Sequence, residues 1–207
     1  MYKRIIVYLT GILSQELNLD QFSEDKLRFG IETNISSLIT ISLTLILALY
    51  LHIFIPVTVI LLSSSLLKSF SGGPHFGTVW ECSFLTAGLV NISGFLISYY
   101  YIYIYSSINL VLAISFPVIV ISLLFWSPVQ SENKPIDIRD KKKYKYISIM
   151  EVICVYIFII VMTYFMPSEK LFLISFSFIM GFILIILTIN PFTLKLFFLY
   201  SMKKKGG

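Results

Sequence analysis

Residues 35–67 read ISSLITISLTLILALYLHIFIPVTVILLSSSLL, a run without a single aspartate, glutamate, lysine or arginine. A helix rises about 1.5 Å per residue and the hydrocarbon core of a bilayer is about 30 Å thick, so the run is too long for one crossing. It must fold back once. The break falls between His52 and Pro56, because proline has no amide donor and its ring clashes with the preceding turn.

The same reading extends outward. Residues 82–129 are equally free of charge and predict a second fold-back near Ser106 to Asn109. Residues 152–168 and 171–194 form two more apolar stretches on either side of Glu169 and Lys170. Six spans result, at approximately 35–52, 55–70, 83–104, 108–126, 147–166 and 171–190. With 57% hydrophobic and only 13% charged residues, the composition excludes a soluble domain of this size. An all-α integral membrane protein, one membrane domain over 1–207, is expected.

Charge predicts the orientation. With six spans, both termini and the loops after spans two and four share one side. Fifteen of the sixteen Lys and Arg residues fall there, all but Lys170. By the positive-inside rule that side is cytoplasmic. The net charge of +5 then reports topology and attraction to anionic lipid, with no call for nucleic acid.

Segments outside the spans read as surface elements. Within residues 1–32, Ile5, Leu9, Ile12, Leu13 and Leu17 recur at helical spacing, as in an amphipathic helix lying on the membrane. No small-residue cleavage pattern follows Leu13, which argues against a signal peptide. Ser23, followed by Glu24 and Asp25, reads as the start of a second short helix feeding span one. The tyrosine cluster at residues 99–105 suits the outer headgroup layer, and His52 reads as an interfacial histidine. Residues 127–146 form a basic cytoplasmic loop whose Lys141, Lys142 and Lys143 suit anionic lipid or an acidic peptide. The basic tail, 191–207, is a further candidate surface helix.

One short polar break interrupts the apolar pattern, a loop over residues 68–83. It runs Lys68-Ser-Phe-Ser-Gly-Gly-Pro-His75-Phe-Gly-Thr-Val-Trp-Glu81-Cys82. A thiolate is the nucleophile of cysteine chemistry, and a nearby imidazole is the usual group that makes one at neutral pH. A chance pairing is the first reading of any His and Cys this close. Two features set this pair apart: its place at the membrane–cytosol boundary, and the turn-forming Ser71-Gly72-Gly73-Pro74 just before it. Seven residues on one straight helix span about 10 Å, whereas a thiol–imidazole hydrogen bond needs roughly 3 Å. Residues 75–82 are therefore not expected to form one continuous helix, and Gly77 is the expected bend.

Other chemistries find less support. One His, one Cys and Glu81 make no recognised zinc spacing, and no nucleotide-binding or CxxC pattern occurs, so no metal or cofactor is expected. Cys154 lies inside span five and reads as a small buried hydrophobe, with no disulfide expected in a reducing compartment. Glu151 reads as close to the entrance of span five, leaving no ionisable group at mid-membrane for a transporter.

Taken together, the Gly73-Pro74-His75 core with Cys82 seven residues on, and the Asn133-Lys134-Pro135 loop running to Lys143, resemble the accessory gene regulator B (AgrB) family. These are membrane cysteine endopeptidases of peptide quorum sensing, and the resemblance in layout covers nearly the whole chain. It implies Cys82 as nucleophile, His75 as general base and Gly73 as support for the loop. It also implies an AgrD-like precursor peptide as substrate, a cyclic thiolactone or lactone product, and a homodimer. Lys68 stands where the family often has arginine; it keeps the charge but loses the planar fork that grips a carboxylate. Glu81, Ser71 and Glu32 are candidates for a third, orienting group. The alternative reading is a non-enzymatic peptide-export or scaffold protein.

Overall fold

The computed structural model describes residues 2–73, 79–129, 138–166 and 168–196. Nearly all of these lie in α1 (Tyr2–Glu16), α2 (Gln21–Tyr50), α3 (Phe54–Ser71), α4 (Val79–Ile104), α5 (Ile108–Trp126), α6 (Ile138–Phe165) and α7 (Glu169–Ile189). Six segments among them are long and apolar enough to cross a membrane: Ser23–Tyr50, Phe54–Ser71, Trp80–Tyr103, Ile108–Trp126, Asp140–Phe165 and Glu169–Ile189. The chain is an all-α integral membrane protein, as its composition predicts.

Two helices start earlier than expected. Ser23 does not open a separate short helix; α2 runs unbroken from Gln21 through the first span. Thr33 and Asn34 bond back to the carbonyls of Phe29 and Gly30, so this polar stretch leaves the backbone ladder intact. Asp20 precedes the helix, and the Ser23 hydroxyl bonded to its side chain holds that carboxyl below its usual range. Likewise α6 begins at Ile138, so Lys141, Lys142 and Lys143 lie on its first turns rather than in a loop. Lysine is a good helix former, no Pro or Gly intervenes, and Asp140 favours a helix N-terminus.

The α2–α3 turn explains His52. The Ile53 amide donates to the Ala48 carbonyl at 3.0 Å and the His52 amide to Leu49 at 3.2 Å. This is a Schellman cap, with His52 in its left-handed position at φ 56° and Ile53 buried beside Ala48. Asn18 fills the same role after α1, at φ 48°, with Leu19 donating to Ser14 at 3.1 Å.

Helices α3 and α7 form the centre. Of their membrane windows 44% and 50% are buried, against 17% for α2. Their close approach depends on Gly181, since a β-carbon there would run into the Ser63 hydroxyl and lie 2.9 Å from the Ile60 carbonyl. Buried hydroxyls of these two helices bond within their own helix: Ser63 to Val59, Ser175 to Leu171 and Ser177 to Leu173. In lipid that is the condition for placing serine inside a helix bundle. After α7, Asn190 accepts a hydrogen bond from the Phe192 amide, and Pro191 opens a helical turn over 191–196.

Candidate functional site

Cys82 is the fourth residue of α4, a free thiol that is half-buried. Its neighbours fix its direction. Trp80 and Phe84 stack at 6.1 Å on the outward face and are both exposed. Ser83 is fully buried, and its hydroxyl lies 2.7 Å from that of Thr40 on α2. At about 100° per residue, Cys82 points roughly 160° away from the aromatic pair. Exposed Leu85 and Leu89 lie within about 60° of Cys82 on the same wheel, so the half-buried thiol sits on the flank between the exposed and the buried sides of α4.

The opposite end of the polar break is also built. Gly72 caps α3 at φ 73°, ψ −161°, a region that essentially only glycine occupies. Its amide donates to the Lys68 carbonyl at 3.1 Å. One residue earlier, the Ser71 carbonyl accepts from the Val129 amide at 2.9 Å, making an isolated parallel bridge between residues 72 and 129. Gly73 follows at φ 152° and is buried; a β-carbon there would lie 3.7 Å from Cε of Lys68. Lys68 itself is half-buried in the last turn of α3.

The residues expected to act together are thus placed unevenly. His75, with Pro74, Phe76, Gly77 and Thr78, lies outside the described residues, as do Lys134 and Pro135. Lys68, Gly73 and Ser71 come together at the end of α3. Lys142 and Lys143 are exposed on α6, and Lys141 is half-exposed. Helix α6 packs on α3, α5 and α7, while α4 packs on α2, α3 and α7. The lysines and Cys82 are therefore carried by helices that share α3 and α7 as neighbours. Among the described residues no three His, Cys, Asp or Glu side chains group as metal ligands. A cavity of about 360 Å³, lined by His52, Pro56, Ser98 and Leu173 among others, opens near the far end of α4 from Cys82.

Two expectations need correction. Cys154 is exposed on α6, not buried. Glu151 lies deeper than its sequence position suggests. Lys145 donates to the Leu124 carbonyl at 2.5 Å and Tyr156 to the Ser115 hydroxyl at 2.8 Å, so Glu151 falls between these two ties, alongside the middle of α5. Both its carboxylate oxygens are buried without a hydrogen-bond partner among the described residues.

Comparison with known proteins places this architecture. The sequence model of the family described as Accessory gene regulator B matches residues 6–199. AgrB-like protein 2 of Clostridium perfringens (strain 13 / Type A) is 28% identical over 168 residues, covering 79% of this chain and 77% of its own. An AgrB-like protein of Clostridium perfringens (strain SM101 / Type A) is 26% identical over 164 residues, covering 77% and 75%. No solved structure matches the chain.

Proposed function

The chain belongs to the accessory gene regulator B family, which takes part in processing agr quorum-sensing peptides, and from that premise we propose that it is a membrane cysteine endopeptidase. Its substrate is a short amphipathic AgrD-like precursor peptide lying along the inner leaflet. The family match over residues 6–199 carries the reading, joined to a free, half-buried thiol in the first turn of α4.

The chemistry follows in two stages. His75 takes the proton from Sγ of Cys82, and the thiolate attacks one peptide carbonyl of the precursor. The tetrahedral adduct collapses as the C–N bond breaks, and His75 returns the proton to the departing amine. The N-terminal part remains as a thioester on Cys82. An internal cysteine or serine of the same peptide then attacks that thioester, closes a thiolactone or lactone ring and frees the Cys82 thiol. A tethered nucleophile acts at high effective concentration, and a site beside lipid limits competing water.

Lys68, Gly73, Lys141, Lys142 and Lys143 serve substrate binding in this scheme. Gly73 permits the positive φ of 152° beside the Lys68 stem, and the exposed lysines of α6 meet acidic side chains of the peptide or anionic headgroups. Both termini and the loop before α4 are cytoplasmic, by the distribution of lysine and arginine. The working unit is a homodimer.

Co-expression with a precursor encoded beside the gene tests the proposal. Mass spectrometry is expected to find a C-terminal fragment, and an adduct on Cys82 that hydroxylamine releases. Cys82→Ala and His75→Ala are expected to leave the precursor whole. Normal turnover by Cys82→Ala would sink the enzyme reading and favour an export or scaffold role.

A further inference from the structure

We propose that Gly72 and the backbone amide of Val129 form a positioning pair for the reaction at Cys82, an inference that rests on the endopeptidase reading above. The pair joins two segments 57 positions apart, the exit of α3 and the exit of α5. The Val129 amide donates to the Ser71 carbonyl at 2.9 Å. Gly72 lies against the Val129 backbone so closely that a β-carbon would run into the Val129 carbonyl oxygen, with its carbon at 3.2 Å and its nitrogen at 3.3 Å. That obstacle is backbone, so no side-chain rotation relieves it. The left-handed φ of Gly72 adds a second, independent demand for glycine.

The seam is enclosed. Ser71 is fully buried, Ser127 is 5% exposed and Val129 packs against the apolar core. On its far side, Lys145 of α6 holds the last turn of α5 through the Leu124 carbonyl. The seam fixes the end of α3, and α3 packs directly on both α4, which carries Cys82, and α6, which carries the lysines. A peptide held on α6 and a thiol on α4 then share one frame of reference. A single hydrogen bond adds little to stability, yet a displacement of about 1 Å at a reacting centre can lower a rate about a hundredfold. Loss of the Val129 amide alone should therefore act more on turnover than on folding, whereas a side chain at Gly72 strains the fold as well.

Gly72→Ala attacks the seam from α3, and Val129→Pro removes the amide from the other loop while leaving Gly72 in place. Val129→Ala keeps the amide and serves as the conservative control. With the full chain in lipid vesicles and the precursor encoded beside the gene, both lesions are expected to lower kcat by about tenfold to a hundredfold. KM should change by less than about threefold, because only placement of the reacting atoms is disturbed. The double variant should be no slower than the slower single one, and Val129→Ala should turn over like the parent. Parent-like kcat in either lesion, effects that multiply, or a loss confined to KM would overturn the inference. If Gly72→Ala does not accumulate in membranes, Val129→Pro alone decides; if neither accumulates, the pair is a folding element and the positioning role is wrong. Turnover by Cys82→Ala is a separate failure, since it removes the endopeptidase reading whatever Gly72 does.

Discussion

The hydroxyls of Thr40 and Ser83 lie 2.7 Å apart and join α2 to α4 one residue beyond Cys82. Thr40 already donates to the Ser36 carbonyl at 2.8 Å, so Ser83 is the donor between them. The bond is therefore unequal in what each partner loses. Thr40→Val leaves the fully buried Ser83 hydroxyl without its acceptor and is expected to destabilise by about 1–3 kcal/mol. Ser83→Ala leaves Thr40 bonded to Ser36 and should cost under about 1 kcal/mol. Reversible unfolding in detergent, comparing the two variants, checks the order; equal losses would contradict the assigned donor.

His52 predicts a gain. Its φ of 56° is set by the Schellman cap, and a left-handed conformation costs a residue with a β-carbon about 1–2 kcal/mol. The side chain is exposed, so little packing is lost with it. His52→Gly should raise the thermal midpoint, while a β-branched His52→Val should lower it. The same pair of variants leaves precursor turnover unchanged if His52 serves only the cap.

Gly181 sets the distance between the two central helices. Because a β-carbon there meets the Ser63 hydroxyl and the Ile60 carbonyl, Gly181→Ala forces α7 away from α3. Overpacking of this kind costs about 1–3 kcal/mol. Combining it with Ser63→Gly or Ser63→Ala should recover part of the loss, measured by the same unfolding assay. Additive losses would mean that the contact does not limit the approach.

Much of this architecture is legible in the sequence, for a physical reason. Lipid excludes charge, so charge-free runs such as 35–67 mark the spans, and Pro56 marks the fold-back that the structure places after Tyr50. Hydropathy reports where lipid lies, however, and not where a helix begins. The polar starts of α2 and α6 therefore escape it, though neither contains a proline. A helix that is apolar all round reads alike on every face, which is why Cys154 could be mistaken for a buried residue. At the site, Cys82 and the Gly72-Gly73 turn stand out from their apolar surroundings. Their partners do not: Thr40 lies 43 positions from Ser83 and Val129 lies far from Gly72, contacts that only the packed bundle creates.

Glu151 is the least expected side chain of the interior. Both its oxygens are buried in α6, between the ties to Leu124 and Ser115, and neither has a hydrogen-bond partner among the described residues. A carboxyl group in that position has lost its hydration and gained nothing in exchange, which costs about 1–3 kcal/mol even when neutral. Glu151→Leu removes the polar group at similar volume and is expected to stabilise the protein by that amount in detergent unfolding. Glu151→Gln, which keeps a polar group there, should give little of the gain. Intramembrane carboxyls that persist against such a cost usually have work to do. Precursor turnover therefore separates two meanings of the same stabilised variant. Full turnover by Glu151→Leu makes the carboxyl a dispensable burden on the fold, whereas a stable but inactive variant assigns it a part in the reaction.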